Sequence, residues 1–252
     1  MVSTFMNNQT SFEVEIIPSI DSDFLNNANQ QLAKLTAEDR VSFALQYLPG
    51  NFALSSSFGA QSAVSLHMLT QAYPDIPVLF IDTGYLFPET YQFVDQLTEQ
   101  LKLNIKVYQS NISNVWQEVR FGQRWSQSTE ALQDYNQMNK VEPMNRALKE
   151  LNIGTWFAGL RRSQSSTRTN LPFVQTFKDR VKVHPLLDWS NQQLHQYLSK
   201  HKLPYHPLWE KGYVSIGDTH STVPLSADLN EEQTRFGGRL RECGLHFDMV
   251  NQ

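Results

Sequence analysis

Cys243 is the only cysteine among the 252 residues, and its neighbours make it a candidate nucleophile. Arg235, Arg239 and Arg241 precede it, and the local run is Glu242-Cys243-Gly244-Leu245-His246. A thiolate attacks far better than a thiol, and nearby cations lower a thiol's pKa; Glu242 opposes that shift. A lone cysteine is ordinarily a small buried hydrophobe, and that reading stays open. Against it, the neighbours are charged or small, and neither a strand nor a long helix is expected there. A reactive thiol on a mobile segment suits a nucleophile that closes over a substrate and is later exposed again.

A second constellation is Ser55-Ser56-Ser57-Phe58-Gly59-Ala60-Gln61-Ser62, between an expected strand and an expected helix. A helix N-terminus offers unpaired N–H groups and a partial positive charge, which suits phosphate or sulfate. The serine hydroxyls add donors, and Gly59 lets backbone approach closely. The alternative is an ordinary Ser-rich turn with a helix cap. The run is not Gly-x-x-x-x-Gly-Lys-Ser/Thr, which argues against a Walker-type nucleotidase. It is similar to the Ser-Gly-Gly-x-Asp-Ser loop of the ATP pyrophosphatases, with Ser57, Gly59 and Ser62 kept. Gln61 stands where those enzymes have Asp, and an amide is a poor magnesium ligand. The loop is therefore expected to hold an anion without cutting magnesium-bound ATP.

Two further loops add candidates. Asp82, at the end of the most apolar run, can accept from a ribose hydroxyl or a base amine, or can simply form a turn; Gly84 permits close approach. Glu89 reads as a first-turn partner of the helix dipole. Arg161, Arg162 and Arg168 lie among small hydroxyl residues, and arginine grips oxyanions by paired hydrogen bonds. The choice there is between an anion site and a solvated loop. His184, Asp188 and Trp189 read as structural.

These loops need a scaffold, and the chain supplies alternating patterns. Helices are expected from Asp21, over 37–48, over 61–72 and over 88–101, where Pro88 suits a first turn. Strands are expected at 51–56, 78–81, 105–108 and 155–158, with a weaker one at 181–183. Strands alternating with helices indicate an α/β fold with a mostly parallel sheet flanked by helices. In such sheets ligands sit beyond the carboxyl ends of the strands, which brings the three loops to one edge. The expected division is an arm over 1–20, a nucleotide-binding α/β domain over 21–223, and a mobile tail over 224–252.

Composition sets limits. With 40% hydrophobic residues, 252 residues suffice for one large domain. A net charge of −4 gives no global field toward nucleic acid or membrane. One cysteine excludes an internal disulfide framework and suits a reducing compartment. The N-terminus lacks a signal-peptide pattern and no run of 18 apolar residues occurs, so a cytoplasmic protein without a membrane span is expected.

Taken together, the chain resembles the assimilatory phosphoadenosine phosphosulfate (PAPS) reductase family. The likeness rests on Ser-Ser-Ser-Phe-Gly-Ala-Gln at 55–61, Asp-Thr-Gly-Tyr-Leu-Phe-Pro-Glu-Thr-Tyr at 82–91, Val-Glu-Pro-Met-Asn-Arg-Ala-Leu at 141–148 and Trp-Phe-Ala-Gly-Leu-Arg-Arg at 156–162. Tyr-His-Pro-Leu-Trp at 205–209, Gly-Asp-Thr-His at 217–220 and Glu-Cys-Gly-Leu-His at 242–246 complete it. The resemblance implies an ATP-pyrophosphatase-like (adenine nucleotide alpha hydrolase-like) fold, a homodimer, and thioredoxin or glutaredoxin as external reductant. It implies that Cys243 attacks the sulfur of PAPS, that adenosine 3′,5′-bisphosphate leaves, and that a dithiol then releases sulfite from S-sulfocysteine. With no second thiol in the chain, the reductant must be external and the kinetics ping-pong.

Tyr205, as a donor to a departing or sulfonate oxygen, and His220, as an anion contact, join the candidates on the same basis. Each is also open to a structural reading. Arg235, Arg239 and His246 complete the expected contacts to the substrate. No bound metal or cofactor is expected. Relatives that reduce adenosine 5′-phosphosulfate (APS) carry further cysteines for an iron–sulfur cluster, and one cysteine cannot ligate such a cluster. This favours PAPS, whose 3′-phosphate needs extra cationic contacts. After His220 the chain reads Ser221-Thr222-Val223-Pro224-Leu225-Ser226, where a Thr pair and basic residues are expected, so a phosphate contact there is in doubt. The competing readings are a cluster-free APS reductase, an ATP-dependent adenylating enzyme and a nucleotide-sensing module.

Overall fold

The computed structural model describes residues 20–238; Arg239, Cys243 and His246, and the arm before Ile20, lie outside the described residues. The chain opens with α1 (Ser22–Leu32) and α2 (Ala37–Tyr47), capped by the Asp21 and Thr36 side chains. Then follow β1 (Phe52–Ser55), α3 (Ala63–Ala72), β2 (Pro77–Ile81), α4 (Pro88–Leu101) and β3 (Asn104–Tyr108). Next come α5 (Asn114–Phe121), α6 (Thr129–Asn136), a π-helical turn (Gln137–Val141) and α7 (Glu142–Glu150). The remaining regular elements are β4 (Thr155–Ala158), β5 (Val174–Phe177), β6 (Arg180–Val183) and α8 (Asn191–Lys200).

The sheet order is β3-β2-β1-β4-β6-β5, parallel throughout except for β5 at one edge. The mostly parallel expectation therefore holds. The central strands are apolar on both faces, because helices cover both. Leu54, Val78, Phe80 and Phe157 pack with α1–α4 and α8, while Ala53, Leu79, Ile81 and Trp156 pack with Met144, Ala147 and Leu148 of α7. The chain runs outward from β1 to β3, then returns to the other side of β1 with β4. The order reverses between β1 and β4, which is where doubly wound sheets open a binding crevice.

Several elements escaped the sequence pattern. On α5, Val115, Trp116 and Val119 face solvent, so its apolar positions mark no core face. The β5–β6 hairpin turns through Lys178 at φ 56°, without the Asn-Gly signature such turns usually carry. By contrast α8 does have a readable start: Ser190 and Gln193 form a reciprocal capping box.

Among the described residues no helix is long and apolar enough to cross a membrane. Residues 224–238, the described part of the segment read as a tail, are bonded to the body. Val223 N–H donates to the Thr234 carbonyl at 3.0 Å and Leu225 N–H to that of Gly212 at 2.9 Å. Thr222 and Arg235 form an antiparallel bridge, and Phe236 is buried.

Arg40 ties α2 to the loop after β6. It is 3% exposed, donates to the Leu32 and Pro185 carbonyls, meets both Asp188 oxygens at 2.6 and 2.8 Å, and lies over Phe173. Burial alone would raise the Asp188 pKa, but the bonds to Arg40 outweigh it and hold the carboxyl below its ordinary range. Removing the guanidinium leaves two buried carbonyls and a carboxylate without their donor. Arg40→Ala is therefore expected to lose about 2–4 kcal/mol of stability, read as a lowered urea midpoint.

Candidate active site

At the β1/β4 reversal lies a cleft of about 270 Å³. Four stretches wall it: Ser55–Ser62 after β1, Gly159–Arg168 after β4, Val214–Ile216, and Glu231, Arg235 and Phe236. Two of the three loops expected at one edge thus meet, and residues before Gly238 form a further wall.

The first loop is pinned from beneath. Phe58 is fully buried, packs edge-on against Phe80 with centroids 5.2 Å apart, and holds φ at 49°. A bulky side chain in that region is strained, and such strain collects at functional turns. The Phe58 ring drives the turn, and the serines and Gly59 are left at the surface. Ser56 Oγ accepts from Phe58 N–H at 3.1 Å, and Ser55 Oγ accepts from Trp156 Nε1 at 2.7 Å. Ser62 Oγ, at the start of α3, is buried with no hydrogen-bond partner among the described residues. An unpartnered hydroxyl beside a helix N-terminus is free to donate to an anion.

Arg161 supplies the buried charge. It is 6% exposed, and its guanidinium donates to Ser163 Oγ, the Trp189 carbonyl and Gln61 Oε1, at 3.1, 3.3 and 3.2 Å. All three acceptors are neutral. Burial lowers its pKa from the ordinary arginine value, with the Glu231 carboxylate acting the other way. Arg168 also lines the cleft and donates to Gln164 Oε1 at 2.8 Å. Arg235 lines it from the opposite stretch, with Nε buried and unpartnered among the described residues.

Other expected contacts lie elsewhere. Arg162 points to the Leu171 carbonyl and over Phe173, so its charge serves the loop's own fold. Asp82 accepts from Gly84 N–H, Tyr91 Oη and Gln109 Nε2, within 2.6–2.7 Å, so its oxygens are engaged in holding the loop to α4 and to the end of β3. Gly84 has φ +71°, with the Asn114 side chain packed where a Cβ would stand. Tyr205 Oη meets His195 Nδ1 at 3.0 Å while its ring stacks on Trp209. His220 stacks on Trp125 and meets Tyr135 Oη; burial pushes its pKa down to about 4, so it is neutral at pH 7. A neutral imidazole is a weaker anion contact than the expectation required.

Sequence reading also passed over a buried ion pair. Lys140, on the π-helical turn, faces Asp218 at 2.7 Å, and both are nearly fully buried. Thr83 Oγ1 donates to the other Asp218 oxygen at 2.6 Å. Lys140 Nζ also lies 5.1 Å from the Phe236 ring. No spacing signals a pair so far apart in the chain, although Asp218 lies in the Gly-Asp-Thr-His run at 217–220. Among the described residues no group of His, Cys, Asp and Glu is placed to hold a metal.

Comparison with known proteins gives the family. The model described as the phosphoadenosine phosphosulfate reductase domain matches residues 51–224. A protein of Shewanella oneidensis called phosphoadenosine 5′-phosphosulfate reductase is 61% identical over 92% of this chain and 94% of its own. One from Escherichia coli O1:K1 / APEC with the same name is 57% identical over 91% and 95%. A crystal structure of phosphoadenylyl-sulfate (PAPS) reductase from Candida auris, a phosphate complex, superposes with a TM-score of 0.71 at 29% identity, covering 82% of this chain and 99% of that one. Candida glabrata FMN adenylyltransferase, with a TM-score of 0.54 at 14% identity over 82% and 76%, shares the fold. The chain belongs to the phosphoadenosine phosphosulfate reductase family, and its fold is of the ATP-pyrophosphatase type.

The buried pair makes a pH prediction. Burial raises the Asp218 pKa, but the Lys140 charge outweighs it and holds the carboxyl down to about 2, below the unfolded value near 4. The unfolded chain therefore binds the proton first, and the stabilisation present at neutral pH is lost as pH falls from about 4 to about 2. Asp218→Asn, which strands a buried ammonium, should cost about 3–5 kcal/mol at pH 7. The difference in urea midpoint from the parent should shrink across that acid range. A difference constant with pH would show that the carboxylate's charge is not what stabilises.

Proposed function

We propose that the cleft binds PAPS and that the chain reduces its sulfonate to sulfite, with Cys243 as nucleophile. One observation carries the reading: Arg161 is a buried cation with only neutral hydrogen-bond acceptors, beside the orphaned Ser62 hydroxyl at the start of α3. An anionic ligand supplies a hydrogen-bonded counter-charge, beyond the through-space attraction of Glu231. Arg168 and Arg235 extend the positive lining toward a substrate with several anionic groups. Relatives of more than half identity over nine-tenths of the chain carry the same activity in their names.

The chemistry balances as two transfers. The Cys243 thiolate attacks the sulfonate sulfur, and the bond from that sulfur to the bridging phosphate oxygen breaks. The electron pair leaves with adenosine 3′,5′-bisphosphate, and Cys243 carries S–SO₃⁻. Arginines and helix-terminal amides around the departing phosphate stabilise the charge it gains, and one such donor is typically worth about 3–4 kcal/mol. A thiolate of an external dithiol then attacks Cys243 Sγ, and sulfite leaves with the bonding pair. The dithiol's second sulfur closes a disulfide and returns Cys243 reduced. The two electrons come from the dithiol, a thioredoxin or glutaredoxin in this reading.

Cys243 follows Arg235 by eight positions. Eight residues span at most about 26–29 Å, so the tether is compatible with a thiol that attacks in the cleft Arg235 lines. A homodimer, cytoplasmic residence and work without an iron–sulfur cluster belong to the same proposal; a single cysteine cannot ligate such a cluster. PAPS is preferred to APS because three arginines line one cleft. An ATP-dependent adenylating reaction is disfavoured because Gln61 replaces a metal-binding carboxylate and gives its carbonyl to Arg161.

Reduced protein incubated with PAPS alone should gain the mass of one SO₃ at Cys243, and added reduced thioredoxin should remove it as sulfite. The same incubation with APS should leave most of the protein unmodified. Cys243→Ser should bind PAPS and form no sulfite; sulfite at the parent's rate would exclude this mechanism. Ser62→Ala should leave the unliganded protein as stable as the parent, since no partner is lost, and weaken PAPS binding about 5–10-fold. Equilibrium binding and urea unfolding read the two effects.

A further inference from the structure

Gly217 lies beside Arg235 in a way its backbone does not explain. Its φ is outside the left-handed region, unlike those of Gly84, Gly122, Gly212 and Gly238. Conformational freedom is therefore not why a glycine stands there. Space is. An ideal Cβ at 217 would meet the Arg235 Nη2, Cζ and Nη1 atoms within 2.5 Å, inside any tolerated contact. The three nearest atoms are the Nη end of the side chain, so the head of the guanidinium occupies the space a side chain at 217 would take.

The stretch carrying Gly217 cannot retreat to make room. On one side, Ile216 is buried in the apolar cluster with Ala60 and Leu208, and its carbonyl lies against Gly59 of the anion loop. On the other, Asp218 is locked by Lys140 and Thr83 and forms a bridge with Leu86. Arg235 is held as well, because its backbone bridges Thr222 and the Val223 amide bonds Thr234. An added methyl group would therefore displace the guanidinium rather than the chain.

We propose that Gly217 is a positioning residue, a side-chain-free seat that leaves room for the Arg235 guanidinium at the wall of the cleft, where it clamps the bound anion. This rests on the reading of the cleft as the PAPS site. The seat explains a glycine that turn geometry leaves unexplained, and it places a cation from late in the chain beside a loop from early in the chain.

The test is a double-mutant cycle in the full chain with Cys243→Ser as the common background, so that PAPS binds without turnover. Affinity for PAPS and the urea midpoint are measured for the background, Gly217→Ala, Arg235→Ala and the pair. Gly217→Ala and Arg235→Ala should each weaken PAPS binding by about tenfold, the scale of one charge-assisted hydrogen bond. The pair should bind no more weakly than Arg235→Ala alone, because a methyl group has nothing to displace once the guanidinium is gone. The same pattern should hold for the midpoint: Gly217→Ala lowers it when Arg235 is present and leaves it unchanged when Arg235 is absent. If Gly217→Ala alone does not fold, removing Arg235 should restore folding. Effects that multiply, or a pair that remains unfolded, would overturn the seat while leaving PAPS as the ligand. A background protein that does not bind PAPS would overturn the functional reading, and the clamp with it.

Discussion

A guanidinium buried among neutral acceptors is the constraint from which the site follows. Taking a charge out of water is costly, and hydrogen bonds to Ser163, Trp189 and Gln61 offset only part of that cost for Arg161. Were residue 61 a carboxylate, it would form an ion pair with Arg161 and cancel the charge. The amide keeps the guanidinium oriented and its charge available. In the proposed reading, the amide at 61 suits the cleft to the anionic end of a nucleotide, where a carboxylate would favour a divalent cation. The start of α3, the Ser62 hydroxyl and the two further arginines add donors and positive charge to the same lining.

The scaffold maintains this arrangement by fixing the loops rather than the ligand. Phe58, fully buried at positive φ, presses the serine loop into shape from beneath. The parallel strands β1 and β4 pair directly, in register from Phe52 with Thr155 to Ser55 with Ala158, so the two loops that follow them emerge side by side. The Lys140–Asp218 pair fixes the stretch after Ile216. A buried pair of this kind is not chiefly a source of stability, since desolvation opposes it. Its effect here is positional, because the glycine beside Asp218 faces an arginine that lines the cleft.

Much of this was legible in the chain. The alternation of apolar strands with capped helices specified a mostly parallel sheet, and the run Val78-Leu79-Phe80-Ile81, apolar throughout, marked a strand covered on both faces. The Ser55–Ser62 and Arg161–Arg168 segments were legible as well, because helix termini and arginine clusters carry their chemistry in residue type. Less visible were α5, whose apolar residues face outward, and the turn at Lys178, which uses a residue that does not advertise it. Asp82 and Arg162 carried the right chemical types, but their hydrogen bonds go to Gly84, Tyr91 and Gln109 and to the Leu171 carbonyl, outside the cleft lining.

Sequence by itself determined the fold class, the family and the inventory of charges, since periodicity, loop composition and long ordered motifs are properties of consecutive residues. Which charges face the cleft was decided only by the tertiary structure. Arg161 and Arg162 are adjacent, yet one lines the site and the other grips the Leu171 carbonyl. Lys140 and Asp218 meet from distant parts of the chain, and Gly217 acquires its meaning only when Arg235 lies across it. Direction and proximity come from the packing of strands and helices, and spacing along a chain does not encode them beyond one element.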